Sequence, residues 1–161
     1  MKILLVYPET PSTFWSFKDA LKFVSKKSAE PPLGLITVAA MLPKAWEKNL
    51  IDLNVSTLTD KDLQWADYVF LSAMNVHARS VKDIIRRCNK IGTKIVAGGP
   101  LFTTQHQDFL GVDHFVLNEA EITLPLFLKD LENGSPKFLY TTDEFPEISL
   151  APVPMWVLIH N

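Results

Sequence analysis

Two adjacent glycines, Gly98 and Gly99, directly follow a short apolar run that is typical of a buried strand. Because neither glycine carries a Cβ, a flat or extended ligand can lie directly against the main chain there. A tight turn explains the same pair equally well. Ser72 ends another apolar run and offers a hydroxyl suited to a nucleotide or an amide, although serine is common at strand ends. We predict a binding site at these two points and no catalytic residue in this chain.

The histidines and the carboxylates give weaker signals. No two of the four histidines have the i, i+4 spacing that places two metal ligands on one helix face, so we predict no metal site. His77 begins a predicted helix without a carboxylate close by, and we expect its ring to be exposed. Glu119 and Glu121 flank the start of the last predicted helix, where the helix dipole by itself favours carboxylates.

Length and composition describe one compact domain: 161 residues, 47% apolar and 21% charged. The single cysteine, Cys88, excludes an internal disulfide and a cluster held by several thiolates of this chain. A formal charge of -2 gives no long-range attraction for nucleic acid, so we predict no nucleic-acid partner. No apolar run approaches the roughly 20 residues that cross a bilayer, and we expect a cytoplasmic protein without a transmembrane segment.

Alternating strand and helix patterns predict an α/β fold. The expected strands are residues 3–6, 68–71, 94–97 and 114–117, with 50–54 as an edge strand, and the expected helices are 33–42, 61–65, 78–91 and 121–131. With right-handed crossovers these elements most simply form a flavodoxin-like, doubly wound, five-stranded parallel sheet of order 2-1-3-4-5. Ligands bind such folds at the carboxyl ends of the strands, where the loops after strands one, three, four and five meet.

Two segments fall outside this alternation. Residues 8–32 form an insertion far longer than an ordinary strand-to-helix loop, and we expect it to contain a short helix and to arch over the crevice. Residues 141–161 contain three prolines, Pro146, Pro152 and Pro154, and have an apolar run near their end. We predict a cofactor domain over residues 1–140, followed by a linker and the start of a further domain.

Five short motifs follow one another over nearly the whole chain: Tyr7-Pro8; Pro31-Pro32-Leu33-Gly34-Leu35; Ser72-Ala73-Met74; Gly98-Gly99-Pro100; and Glu119, Glu121, Thr123, Leu124 and Pro125. In type and in order they resemble the amino-terminal cobalamin-binding domain of B12-dependent radical SAM proteins. Known relatives include the anaerobic magnesium-protoporphyrin IX monomethyl ester cyclase and the hopanoid methylases.

The resemblance implies that cobalamin lies across the carboxyl edge of the sheet, with its nucleotide tail descending near Ser72 and Gly98-Gly99. The implied cofactor-binding residues are Tyr7, Pro8, Glu9, Ser72, Ala73, Met74, Asn75, Gly98, Gly99, Pro100, Asn118 and Glu119. The family's lower-ligand motif, Asp-x-His-x-x-Gly, is missing, and Glu9-Thr10-Pro11 stands in its place. The loop after strand one therefore brings no histidine to cobalt.

The resemblance also implies a carboxyl-terminal radical SAM domain as partner, which holds a 4Fe–4S cluster and S-adenosylmethionine. Such proteins transfer a methyl group to an unactivated carbon or close a ring there, on a small-molecule substrate such as a lipid or a tetrapyrrole. The isolated domain is expected to bind the cofactor without catalysing the reaction.

Two other classes of protein share this fold. A receiver-type signalling domain needs an aspartate at the end of strand three, where this chain has Ser72. A flavin-binding domain needs a phosphate loop after strand one, and Pro8 and Pro11 remove two of its amide donors. A domain that has lost its ligand is the remaining alternative.

Overall fold

The computed structural model describes residues 1–11, 31–147, 149 and 151–159. Most of the predicted insertion, including its expected helix, lies outside these residues.

One parallel sheet organises the described chain, in the order β2-β1-β3-β4-β5-β6. Its strands are β1 (Lys2–Tyr7), β2 (Glu47–Asp52), β3 (Tyr68–Ser72), β4 (Lys94–Gly98), β5 (His114–Val116) and β6 (Leu139–Tyr140). The predicted doubly wound α/β fold and the 2-1-3-4-5 order are confirmed. The sixth strand was not predicted, because it has two residues and pairs only with β5 at the edge.

The edge strand β2 begins three residues earlier than the sequence suggested. Lys2 pairs with Glu47 and Tyr7 with Asp52, so β2 runs alongside the full length of β1. Its first residues are polar, and an edge strand tolerates polar residues because only part of its surface is buried. The apolar pattern therefore marked the end of this strand and missed its start.

Helices cover both faces of the sheet. On one face lie α1 (Leu33–Met41) and α5 (Ala120–Glu132), and on the other lie α2 (Asp60–Trp65), α3 (Ala78–Ile91) and α4 (Pro100–Gln105). Successive residues of β1 alternate between two core layers. Leu4 and Val6 belong to the first core layer, which packs with α2, α3 and α4. Ile3 and Leu5 belong to the second core layer, which packs with α1 and α5. The sequence did not predict α4.

Helix α3 matches its predicted bounds, and its apolar stripe is buried. It ends at Gly92, whose φ of 89° suits a glycine. Cys88 lies on the buried stripe, and burial raises the pKa of its thiol to about 11. The thiol is therefore protonated and unreactive at neutral pH.

After β6 the chain returns across the face that carries α1 and α5. A short 3-10 helix, Trp156–Leu158, ends this path, and the Met155 amide donates a hydrogen bond to the Ile36 carbonyl at 3.0 Å. Across the described ranges, no helix is both long enough and apolar enough to span a membrane.

Candidate cofactor-binding site

An apolar cleft of about 460 Å³ opens at the carboxyl ends of β3, β4 and β5, between α1 and α5. We call it the slot. Its floor is formed by Phe70, Val96 and Val116 from the second core layer, and α1 and α5 form two of its walls. Its size lies within the range of small-molecule sites in proteins. Such a cleft suits an extended ligand that is mostly apolar and has polar groups at one end.

The paired glycines line the slot, but the protein's own packing also requires both of them. A Cβ on Gly98 would lie 2.5 Å from the Val116 carbonyl oxygen of β5. Gly99 has a φ of 88°, and a Cβ there would lie 2.7 Å from the Ser72 hydroxyl oxygen. The tight-turn explanation therefore holds for Gly99, which is the N-cap of α4. Because Gly99 has no side chain, its main chain is also open toward the slot.

Main-chain hydrogen bonds join the loops after β3 and β4. The Leu101 amide donates to the Ala73 carbonyl at 2.9 Å, and the Ala73 amide approaches the Gly98 carbonyl at 3.4 Å. The Ala73 side chain is buried in the first core layer. These contacts hold the Ser72 hydroxyl and the glycine main chain beside each other at the mouth of the slot.

Asn118 shapes the loop after β5. Its φ is 61°, a left-handed conformation that asparagine tolerates better than most residues. Its main-chain amide donates to the Thr103 hydroxyl at 3.2 Å, and its side-chain amide donates to the Thr141 hydroxyl at 3.2 Å and to the Thr142 carbonyl. Glu119 follows as the N-cap of α5. Asn118 thus ties the β5 loop to α4 and to the chain after β6.

His77 is fully buried, so the predicted exposed position is wrong. Its Nδ1 accepts a hydrogen bond from the Met74 amide at 3.2 Å, which requires a neutral ring with its proton on Nε2. That proton is donated to the Thr10 hydroxyl at 3.1 Å. Burial lowers the pKa of His77, and Asp52 opposes this shift. The ring is covered because the loop after β1 folds over it, with the Tyr7 ring at 5.1 Å.

Asn54, which the sequence did not single out, fixes the same loop from the side of β2. Its side chain donates to the Pro8 carbonyl at 3.3 Å and accepts from the Thr10 amide at 2.9 Å. Asp52 in turn accepts from the Asn54 amide at 2.8 Å. The loops after β1, β2 and β3 therefore form one hydrogen-bonded unit at the point where the strand order reverses.

The predicted site residues divide into two groups. Those that line the slot are Ser72, Gly98, Gly99, Pro100, Asn118 and Glu119. Those that lie in the loops beside it are Tyr7, Pro8, Glu9, Ala73, Met74 and Asn75. In the second group Met74 is 41% exposed, and with the exposed Val76 it gives this rim an apolar surface.

Sequence reasoning missed the contribution of α1 to the slot. Six residues, which cover about half of the circumference of this helix, line the cleft: Leu33, Gly34, Leu35, Thr37, Val38 and Met41. The available signal was that α1 is apolar almost all round, which indicates a helix covered on more than one side. The sequence assigned only one face of it to the core.

A second cleft, of about 510 Å³, lies beside the slot and shares Gly99, Pro100, Asn118 and Glu119 with it. Threonine and acidic side chains and one phenylalanine complete its lining: Thr103, Thr104, Thr142, Asp143, Glu144 and Phe145. The loops after β4 and β5 thus form a ridge with an apolar cleft on one side and a more polar cleft on the other.

These features fit the implied cobalamin. The slot accepts an elongated nucleotide tail, and the apolar rim and polar cleft suit a broad ring with amide side chains. Among the described residues, one histidine, His77, lies in the loops at this edge. Both of its ring nitrogens form hydrogen bonds. Within the described ranges no group of three or more His, Cys, Asp or Glu side chains could hold a metal ion.

Comparison with known proteins supports the same assignment. The model of the B12 binding domain family matches residues 23–128. The chain is 38% identical over 161 residues to an uncharacterized methyltransferase of Synechocystis sp., covering 99% of this chain and 30% of that protein. It is 28% identical over 162 residues to the hopanoid C-2 methylase of Rhodopseudomonas palustris, covering 98% of this chain and 31% of that protein. The resemblance inferred from the sequence is confirmed, and the chain belongs to the B12-binding domain family.

Proposed function

We propose that this domain holds cobalamin for a longer, B12-dependent radical SAM enzyme that methylates its substrate. The domain corresponds to about 30% of the length of each relative, and both relatives are named for methyl transfer. Their names favour methylation over ring closure. The 4Fe–4S cluster and S-adenosylmethionine would then be bound outside this sequence, whose single cysteine is buried.

The observation that carries this proposal is the slot between α1 and α5. It reaches from the carboxyl edge down to the apolar floor of the second core layer, which is where the nucleotide tail of cobalamin would descend. Neither a receiver-type phosphorylation site nor a flavin phosphate loop needs an apolar cleft at this place. The family match also favours cobalamin over both alternatives.

Each loop has a separate part in holding the cofactor. The Ser72 hydroxyl and the main chain of Gly98 and Gly99 meet the tail at the mouth of the slot. The exposed apolar side chains of Met74 and Val76 would contact the corrin ring, and the polar cleft beside α4 would receive its amide side chains. Bound cobalamin supplies a cobalt ion that can carry a methyl group.

The engaged nitrogens of His77 leave it no lone pair for cobalt. We infer that this histidine positions the loop and that no histidine of this edge ligates the metal.

We further propose that the substrate is a small molecule of the lipid or tetrapyrrole class and that the partner is the radical SAM domain of the same protein. A cytoplasmic location agrees with this chemistry, because cysteine-held clusters persist where thiols stay reduced.

Titration of the purified domain with hydroxocobalamin tests the proposal. We expect the corrin absorption bands to shift with saturable binding, and we expect FMN to give no corresponding change in its own spectrum. Binding of FMN with no response of the corrin bands would overturn the assignment.

A matched pair of helix variants tests the location. Thr37 of α1 lines the slot and is half-buried, whereas Ala40 of the same helix is also half-buried but lies outside the lining. Thr37→Trp should fill the slot and weaken hydroxocobalamin binding by about tenfold or more, from typical overpacking costs. Ala40→Trp should bind like the original chain. Equal binding by all three proteins would mean that the nucleotide tail of cobalamin binds outside the slot.

A further inference from the structure

The last described stretch of the chain, residues 151–159, begins at the slot and packs beside α1. We call it the tail segment. Ala151 is part of the slot lining, and the rest of the lining comes from α1, α5, the first residue of α4, the three floor strands and the loops after β4 and β5. Ala151 is exposed, so it stands at the open side of the cleft. One side of the slot is therefore bounded by Ala151, which comes after the last strand of the sheet.

The tail segment is attached to α1 beside the slot. The Met155 amide donates to the Ile36 carbonyl at 3.0 Å, and Met155 and Leu158 pack against the second core layer. This core layer also contains Phe70, Val96 and Val116, the floor of the slot. The attachment of the tail segment and the floor of the slot thus belong to the same packed layer.

The tail segment has an outer face that makes little contact. Val153 is 80% exposed and Val157 is 78% exposed, and no charged residue occurs between Ser149 and Ile159. Segments with few buried contacts open at low free-energy cost, and a ligand that contacts them makes them more ordered. The position of the tail segment should therefore respond to what fills the slot.

We propose that the tail segment is the closing wall of the cofactor slot: Ala151 contacts the bound nucleotide tail, and filling of the slot fixes the segment on α1. This inference rests on the proposed function, because cobalamin is the ligand in the slot. It adds a cofactor contact outside the loops that follow the strands. It also makes the position of residues 151–159 depend on whether cobalamin is bound.

Two substitutions of equal bulk test the contact. Ala151→Trp adds an indole at the mouth of the slot, and Val153→Trp adds one to the exposed face of the same segment. We expect Ala151→Trp to weaken hydroxocobalamin binding by about ten- to one-hundredfold, as overpacking of a binding site does, and Val153→Trp to leave it unchanged. Both positions are exposed, so far-UV circular dichroism should show the same fold in both variants.

Hydrogen exchange on the unmodified chain gives a second readout that does not depend on a variant. Exchange of the peptide containing Met155 should slow several-fold when hydroxocobalamin is added, because the amide bonded to Ile36 is opened less often. Exchange of the exposed turn at residues 133–135, which opens locally and lies outside the slot lining, should not change and serves as the internal reference.

The outcomes separate the two proposals. If the unmodified chain does not bind hydroxocobalamin, the proposed function fails. If it binds, but Ala151→Trp binds equally well and the Met155 peptide exchanges at the same rate, then cofactor binding stands and the closing role of the tail segment is overturned.

Discussion

His77 and Asn54 bind no ligand in our assignment, but they determine where the ligand-binding loops lie. His77 connects the main chain at Met74 with the Thr10 hydroxyl, and Asn54 connects Pro8 and Thr10 to β2. A protonated His77 would present an N–H group to the Met74 amide, which is also a donor. The neutral ring is thus a condition for the loop geometry.

The buried histidine predicts a pH dependence of stability. Because burial lowers the pKa of His77 from 6.5, the unfolded chain takes up a proton at a higher pH than the folded chain does. The free energy of unfolding should therefore decrease as the pH falls below about 6.5, and this contribution should stop changing once the pH is below the folded-state pKa. Urea denaturation at several pH values between 7.5 and 5 measures the effect.

His77→Gln isolates this contribution, because glutamine does not titrate but keeps an amide for the same contacts. The unfolding free energy of the variant should depend less steeply on pH over this interval than that of the unmodified chain. Parallel curves for the two proteins would assign the pH dependence to other groups.

Two glycines that line the same slot should respond in opposite directions to an added methyl group. Gly98→Ala places a Cβ 2.5 Å from the Val116 carbonyl oxygen, and we expect a loss of about 1–3 kcal/mol in the free energy of unfolding. Gly34→Ala lies in α1 with nothing within 4 Å of the new Cβ, and it should gain up to about 1 kcal/mol through helix propensity. Denaturant unfolding measures both, and a destabilised Gly34→Ala would contradict the open space at that position.

Gly99 is a poor probe of ligand contact for the same geometric reason. Its positive φ and its closeness to the Ser72 hydroxyl strain any side chain placed there, so loss of binding in such a variant would not separate ligand from fold. Bulk added to α1 at Thr37 avoids this problem.

At the scale of elements, the sequence predicts the helices and strands that have a regular apolar period. The bounds of the other elements depend on backbone pairing with a neighbouring strand. Helix α3 shows one apolar stripe against charged residues, and its bounds were predicted correctly. The short β6 and the start of β2 depend on backbone pairing with a neighbour, which leaves no apolar period in the sequence. The slot could be located only at the correct edge of the sheet, because its walls depend on the separation of α1 and α5.

Helix α2 carries a signal that is local and therefore testable alone. The Thr59 hydroxyl accepts from the Asp62 amide, and the Asp62 carboxylate accepts from the Thr59 amide at 2.7 Å, which is a complete capping box. Thr59→Ala should lower the free energy of unfolding by about 1 kcal/mol. The nearby, exposed Thr57→Ala is the control and should change it by less than about 0.5 kcal/mol. Equal effects of the two variants in urea denaturation would mean that the cap does not stabilise the domain.

At the scale of the whole molecule, one face of the sheet is closed by its own side chains and the other is only partly closed. The layer under α2, α3 and α4 contains the larger set of buried apolar residues, whereas the layer under α1 and α5 opens into the slot at the carboxyl edge. A ligand in the slot completes that second layer. A ligand that binds only the folded state raises the free energy of unfolding of the whole domain, and we expect cobalamin to do so here.

Thermal unfolding of the full chain with hydroxocobalamin tests this expectation. A ligand that binds only the folded state adds about 2.7 kcal/mol at one hundred times its Kd, and each kcal/mol raises the Tm of a domain of this size by about 2–4 °C. We therefore expect the Tm to rise by about 5–11 °C at that concentration. The Thr37→Trp variant, with binding weakened tenfold or more, should show about half of this rise or less, and Ala40→Trp should match the unmodified chain. A corrin spectrum that shifts while the Tm stays constant would mean that hydroxocobalamin binds the unfolded chain as well as the folded one, because a ligand specific to the folded state raises the Tm wherever it binds. The place of binding is tested by the difference between Thr37→Trp and Ala40→Trp.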